Sequence, residues 1–382
     1  MKTEKLYDND SHLKEFKAAV LSCFKAESGY KIILDKTAFF PEGGGQPGDT
    51  GTLSDVRVLN TKEENGEIYH FTETPFEEGT EVTGKIDFAR RFSFMQNHSG
   101  EHIVSGIVHR KYGFQNVSFH LNENFATLDF NGTLTREQLD EIEDEANGIV
   151  FSCVPVYTYY PTPEELKTID YRSKKEISGD IRIVEIKGAD VCACCAPHVK
   201  NTGEIGIIKL LDTVRMRGGT RITLKCGKYA LADYRNKYFN VSAVADALSA
   251  KQEETFEAVK AQIKRADALT LCCSQLKHRL AEYIIKHADG GQVVFFEEDL
   301  DTQELQFLAD GLHKTYGGIK AVFSGTDGAL RFAMCAEDEK LKEVFERLKA
   351  AFPVKGGGRN GMVQGSVNTE FALITDFFKK EI

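Results

Sequence analysis

Apolar positions along the chain recur in two periods, and the change from one to the other divides it. Over the first stretch the apolar runs are short and separated by turns. Lys31-Ile32-Ile33-Leu34-Asp35 reads as a strand, and segments 51–58, 67–71 and 80–86 read the same way. Turns fall at Glu64-Asn65-Gly66 and Gly79, and a small β-barrel is the simplest assembly. From Phe92 to Tyr112 the spacing becomes that of a helix, which Gly113 stops. Segments 117–120, 125–130, 154–160 and 181–186 alternate again as strands. Segment 135–149 is an amphipathic helix whose Thr135 and Gln138 form a capping box. From about Tyr238 the chain is strongly helical, with Phe256, Val259, Ile263, Ala266, Leu269, Cys273, Leu276, Leu280 and Tyr283 at spacings of three and four. Such a stripe on a lone helix needs a partner, in a helical hairpin or across a dimer. Beyond Asp289-Gly290-Gly291, a strand (293–296), a helix (302–316), two strands (319–323, 329–334) and a helix (337–351) outline a compact α/β unit.

Composition narrows the picture. A chain of 382 residues predicts two or three domains. The formal net charge of −10 excludes a globally basic nucleic-acid binder and leaves room for a locally basic face. Nine cysteines without an apolar leader at the N-terminus predict a reducing, cytoplasmic setting. No stretch has the apolar length of a membrane span, so no membrane partner is expected.

The candidate chemistry lies in two places. His98 and His102 form an HxxxH pair, and positions i and i+4 share a helix face. Cys192-Ala193-Cys194-Cys195-Ala196-Pro197-His198 contains a CxxxH pair, Cys194 and His198. Together the pairs make a nitrogen and sulfur set suited to tetrahedral Zn²⁺. Cys192 and Cys195 are spare thiols able to compete for the same ion. The alternative is two satisfied histidines beside a reduced, buried cysteine cluster. Glu101 either orients water or a ligand or is an idle, exposed helical glutamate. His120 lines the pocket or packs, instead of binding metal. Gly43-Gly44-Gly45 permits positive φ and close backbone approach, and no Lys-Ser/Thr follows to make a phosphate loop of the Walker kind. Near the C-terminus Lys355, Gly356, Gly357, Gly358 and Arg359 read as a glycine loop offering N–H groups and two cations to phosphate, or as a plain turn.

These stretches carry a resemblance. HSGEH and CCAPH resemble the HxxxH and Cys-x-x-x-His signatures of the alanyl-tRNA synthetase editing domain, shared by the free-standing AlaX-type editing proteins. Phe40-Pro41-Glu42-Gly43-Gly44-Gly45-Gln46-Pro47-Gly48-Asp49 resembles the glycine-rich motif that precedes that domain, and Thr202-Gly203-Glu204-Ile205-Gly206 its Thr-Gly-Glu-Ile-Gly turn. Segment 355–359 resembles the GGGR loop of the DHH-associated domain. The ligand positions match; the residues between Cys194 and His198, and within HxxxH, differ from the common Cys-Gly-Gly-Thr-His and Thr/Ala pattern.

The resemblance implies an α+β fold: a glycine-rich-motif β-barrel domain (1–90), a zinc-binding editing domain (91–236), a coiled-coil-like helical linker (237–290) and a DHH-associated α/β domain (291–382). It implies a zinc-dependent hydrolase that removes serine or glycine from mischarged tRNA-Ala. His98, His102, Cys194 and His198 would hold Zn²⁺, Gln46 and Glu101 would serve the chemistry, Ser99 and His120 would face the substrate, and 355–359 would meet tRNA. A homodimer through the helical linker or the C-terminal domain is expected. A non-catalytic tRNA-binding module is one alternative. An alanine–tRNA ligase is another, but it needs a class II domain ahead of the glycine-rich motif, where about forty residues stand against the ~100–200 of a domain.

Overall fold

The computed structural model describes residues 3–173 and 180–381. It divides into two units, Met1–Asn240 and Val241–Ile382. In the first, elements run β1 (Glu4–Lys5), α1 (Leu6–Asn9), β2 (Glu15–Lys25), β3 (Tyr30–Leu34), β4 (Lys36–Thr37), β5 (Gly51–Leu53), β6 (Val56–Glu64), β7 (Glu67–Thr72) and β8 (Glu81–Ile86). There follow α2 (Phe88–Tyr112), β9 (Asn116–Leu121), β10 (Ala126–Phe130), α3 (Arg136–Phe151), β11 (Val156–Tyr159), α4 (Pro163–Leu166), β12 (Ile183–Ile186), β13 (Asp190–Ala193), β14 (Ile208–Met216) and β15 (Gly219–Cys226). Helix α5 (Gly227–Leu248) crosses into the second unit.

Six strands close into a barrel in the order β2-β3-β7-β6-β5-β8. Its interior holds the inward half of each alternating strand, including Val20, Ile32, Leu34, Leu53, Val58 and Val82. The β6–β7 hairpin turns at Asn65 (φ 55) and Gly66 (φ 81), as the Asn-Gly pair predicts. Strand β2 is absent from the sequence reading. Its buried Phe16, Ala18 and Val20 alternate with exposed Glu15 and Lys17, so the period of two is present but diluted by charge.

Helix α2 starts at Phe88, four positions before the predicted start, because Asp87 caps it by accepting from the Arg90 N–H at 3.3 Å. Gly113 ends it in the left-handed region (φ 71). Helix α3 carries the predicted capping box on Thr135 and Gln138. Both helices pack on a four-stranded sheet ordered β14-β15-β10-β9, and β11-β12-β13 form a second sheet beside α2.

In the second unit, α6 (Thr255–His287) precedes β16 (Val294–Phe296), α7 (Thr302–Tyr316), β17 (Lys320–Thr326), β18 (Ala329–Cys335), α8 (Asp338–Ala351), β19 (Val354–Arg359), β20 (Met362–Val367) and α9 (Phe371–Glu381). The sheet order is β16-β17-β18-β20-β19. Alternate residues of β17 feed two cores: Ala321 and Phe323 pack with α8 and α9, and Val322 with α6 and α7. The expected continuous helix is broken between Leu248 and Thr255, where Ser249 takes φ 51. The apolar stripe of α6 is exposed at Phe256, Ile263, Leu276 and Tyr283.

The glycine run 355–359 is not a loop. It is part of edge strand β19, paired with β20 from Val354↔Val367 to Arg359↔Met362 and turned at Asn360 and Gly361, both at positive φ. The Asn-Gly turn and the ladder account for backbone groups that a loop would have left free. Glycine is required at 358, where a Cβ would meet the Met362 carbonyl oxygen at 1.9 Å. No helix among the described residues is long and apolar enough to cross a membrane.

One buried group makes barrel stability depend on pH. His70 is fully buried, with Nε2 2.8 Å from Thr37 Oγ1 and Nδ1 3.0 Å from the Ile32 carbonyl. Burial pushes its pKa down to about 4. The unfolded chain, with its histidine near 6.5, therefore binds this proton at a pH where the native barrel does not. Stability contributed here is complete above 6.5 and is lost as pH falls toward 4, by about 3 kcal/mol in all. Denaturant unfolding of the parent and His70→Gln between pH 7 and 4 should give curves that converge as pH falls. Parallel curves would remove His70 from the account.

Candidate metal centre

Helix α2 is buried on every side from Ser93 to Val108, so its polar side chains must find partners inside. Asn97 does so locally: Nδ2 donates to the Ser93 carbonyl and Oδ1 accepts from the Cys226 N–H. Two glycines set how closely neighbours approach. A Cβ at Gly100 would lie 2.5 Å from Cys226 Sγ, and one at Gly106 would lie 2.2 Å from the Ala189 carbonyl oxygen. The second approach lays the β12–β13 turn against α2 one turn beyond His102.

The four predicted ligands meet. His98 and His102 project from one face of α2, with ring centroids 5.5 Å apart. Cys194 and His198 come from the turn after β13, which Arg182 holds by donating to the Cys194 carbonyl at 3.1 Å and the Ala196 carbonyl at 2.9 Å. Cys194 Sγ stands 3.5 Å from His98 Nε2 and 3.4 Å from His198 Nε2. One ligand atom from each of the four lies within 4.8 Å of the others, a group able to hold a metal ion.

What stands behind the rings is as informative. His98 Nδ1 meets Gln46 Oε1 at 3.0 Å, His102 Nδ1 meets Asp190 Oδ2 at 2.9 Å, and His198 Nδ1 meets Ser99 Oγ at 3.0 Å. Each ring is held by Nδ1, so Nε2 is the nitrogen turned inward. Burial by itself would raise the Asp190 carboxyl, but bonds from His102 and Arg172 outweigh it and hold the pKa below the ordinary range. Asp190 is thus a carboxylate and His102 donates to it. Desolvation pushes the Cys194 thiol well up. Three imidazole Nε2 atoms turned inward beside a desolvated sulfur are an arrangement that a cation stabilises.

Gln46 reaches His98 through the glycine-rich segment. Gly43 and Gln46 exchange backbone bonds of 3.0 Å across a turn in which Gly44 (φ 59) and Gly45 (φ 83) take positive φ. A Cβ at Gly45 would lie 2.5 Å from the Phe119 carbonyl oxygen, so glycine permits docking on β9. Asp49 closes the segment by accepting from the Phe40 N–H and pairing, fully buried, with Arg91 of α2.

The remaining predicted residues separate. Ser99 is buried behind His198 and also accepts from the Val199 N–H at 3.3 Å. Glu101 is buried, not exposed: its Oε1 accepts from Ser105 Oγ and Asn116 Nδ2, both at 2.6 Å, and its Oε2 lies 3.9 Å from His102 Nε2. His120 is exposed on β9 and lines an open cleft of 510 Å³ with Gln46, Lys62 and Glu63. Cys195 is exposed, and Cys192 is buried beside His102 and Asp190. Sequence reasoning missed Asp190, Arg172 and Arg182. A signal for Asp190 existed, since Asp190 and Cys192 alternate along β13 and share a face just ahead of Cys194.

Comparison with known proteins places this geometry. A family model described as threonyl and alanyl tRNA synthetase second additional domain matches residues 181–223, which hold Asp190, Cys194 and His198. A model described as tRNA synthetases class II (A) matches residues 7–90, which hold the glycine-rich segment. The chain is 30% identical to the alanyl-tRNA editing protein Aarsd1-A of Xenopus laevis, over 94% of this chain and 92% of that protein. It is 28% identical to the alanyl-tRNA editing protein AlaX-L of Pyrococcus horikoshii, over 98% and 96%. Against the alanine–tRNA ligase of Pyrococcus abyssi it is 30% identical over 96% of this chain, but this spans 42% of the ligase.

The geometry predicts which cysteine ligates. His98→Ala and Cys194→Ala should each lower bound metal at least tenfold in elemental analysis, since losing a direct ligand costs no less than the roughly 10–100-fold typical of losing an outer-shell partner. Cys192→Ala and Cys195→Ala should retain it. Retention in Cys194→Ala with loss in Cys192→Ala would reassign the sulfur ligand.

Proposed function

This chain belongs to the alanyl-tRNA editing protein family, and from that premise we propose that it is a zinc-dependent hydrolase releasing serine or glycine from mischarged tRNA-Ala. The observation that carries the reading is the convergence of His98, His102, Cys194 and His198 beside the cleft lined by Gln46. Zinc is favoured by the donor set and by spacing: tetrahedral zinc separates a nitrogen and a sulfur ligand by about 3.6 Å, close to the 3.5 and 3.4 Å found here. Zinc bound there would supply Lewis acidity toward the ester carbonyl or a hold on the substrate's amino group.

In the reaction water adds to the ester carbonyl carbon and the bond to the 3′ oxygen of the terminal adenosine breaks. Free amino acid and an intact tRNA hydroxyl result. Gln46 is the residue best placed to assist. Its Oε1 is committed to His98, while Nε2 is buried and has no hydrogen-bond partner among the described residues. That amide can donate to a substrate oxygen without giving up another bond, an advantage in a site built to read a hydroxyl. Ser99 and Glu101 are engaged elsewhere, so we assign Ser99 to orienting His198 and Glu101 to the charge beside His102. His120 and Lys62 border the cleft where the tRNA end would lie.

The second unit offers a separate surface. Arg331, Ser366 and Lys355 stand in one cross-strand row, beside a groove of 450 Å³ where Gly356 and Gly357 leave the backbone bare. We assign this groove, in the region resembling the DHH-associated domain, to the tRNA backbone. The exposed stripe of α6 is our assignment for a homodimer contact.

Two measurements test this function. First-order deacylation of Ser-, Gly- and Ala-charged tRNA-Ala at saturating enzyme should be fast for serine or glycine, slow for alanine, and abolished by chelator. Alanine released as fast as serine would indicate a general deacylase, and tRNA binding without hydrolysis a binding module. The double variant Arg331→Ala, Lys355→Ala should weaken tRNA binding and lower its logarithmic salt slope by about 2. Its cleavage of a small aminoacyl ester should be unchanged, and loss of that cleavage would count against the assignment.

A further inference from the structure

The three imidazoles of the metal centre are not supported alike. His98 rests on the neutral amide of Gln46 and His198 on the neutral hydroxyl of Ser99. His102 donates to the carboxylate of Asp190, and that carboxylate is gripped twice by Arg172, Nε to Oδ1 at 2.7 Å and Nη2 to Oδ2 at 2.8 Å. Both side chains are largely withdrawn from water, Asp190 at 1% and Arg172 at 11% exposure.

Arg172 is fixed at its backbone too. Its N–H donates to the Val191 carbonyl at 2.8 Å, and its carbonyl accepts from the Ala193 N–H at 2.9 Å. It is thereby fastened to β13, the strand that leads into Cys194. The segment carrying Arg172, the strand carrying Asp190 and the helix carrying His102 meet at one carboxylate. The Gly106 contact adds a steric stop, since it seats the turn preceding Asp190 against α2.

We propose that Arg172 and Asp190 are a positioning pair that makes His102 the anchoring arm of the metal centre, so that metal retention depends on this arm more than on those backed by Gln46 and Ser99. The proposal rests on reading His98, His102, Cys194 and His198 as the ligands. A carboxylate behind a histidine fixes the ring and strengthens the opposite nitrogen as a donor. A bidentate guanidinium holds that carboxylate in one orientation and cancels its charge, so the pair adds direction without net charge. A neutral amide or hydroxyl fixes the ring through one uncharged bond and does less of each.

The test is zinc binding by the full-length chain, measured by chelator competition, with the melting temperature of the metal-free form as a control on folding. Asp190→Asn and Arg172→Lys should raise the zinc Kd 10–100-fold, the range expected for outer-shell partners. Gln46→Ala and Ser99→Ala should raise it by a smaller factor. Arg172→Lys keeps the charge and loses the fork, so a weaker Kd with an unchanged metal-free melting temperature separates positioning from stability. Asp190→Glu should restore part of the affinity, and the visible spectrum of the cobalt-loaded Arg172→Lys protein should shift. If Asp190→Asn fails to fold, Arg172→Lys decides. Absence of zinc binding by the parent would overturn the ligand reading itself. Parent binding with unchanged Kd in the Arg172 and Asp190 variants, or equal losses at Gln46 and Ser99, would overturn the anchor and leave the ligand reading standing.

Discussion

A helix buried on every side cannot carry polar side chains unless each finds a partner, and that constraint shapes the first unit. Along α2, Asn97, His98, Ser99, Glu101, His102 and Ser105 are all buried. Each unmet bond would cost on the order of 1–3 kcal/mol. Neighbouring elements supply the partners: the glycine-rich segment brings Gln46, β13 brings Asp190, and β9 brings Asn116. The metal centre is the part of this network where the remaining atoms are all electron-pair donors. A cation placed there would meet three nitrogens and a sulfur at once.

A buried charged contact ties the glycine-rich segment beside the barrel to α2. Arg91 and Asp49 are buried at 0% and 1% exposure, and Arg91 also donates to the Ala38 carbonyl at 2.7 Å. Removing one partner of such a pair typically costs about 3–5 kcal/mol, because the other charge is left buried alone. The location matters more than the magnitude. Asp49 closes the segment that ends in Gln46, and Arg91 lies two turns before His98 on the same helix. The contact therefore fixes the distance between the amide and the ring it holds.

Glycine has different work in the two units. In segment 43–45 it permits a tight reversal and close docking on β9; in 356–358 it permits an edge strand to run against its neighbour without side chains between. The same residue type reads alike in sequence, and both runs invite a loop. Only the first is one. The second places Lys355 in a row with Arg331, which lies more than twenty positions away in sequence.

The sequence by itself determined the features that depend on near neighbours. The HxxxH pair on one helix face, the capping box of α3, the Gly113 stop and the Asn65-Gly66 hairpin all follow from spacing and local backbone preference. Cys194 and His198 were legible from ligand chemistry and from the resemblance they carry. Strand β2 was not, because charged residues dilute its period. The tertiary structure decided what depends on long-range approach. Glu101 looked like a surface residue until β9 covered it, and Ser99 looked available until His198 arrived from 99 positions away. Asp190 and Arg172 had no visible role, since their meaning lies in reaching a ring 88 positions earlier. Local periodicity fixes which face of a helix a side chain occupies. It does not fix which distant strand will lie against that face, and here that second fact decides which side chains converge and which stand behind them.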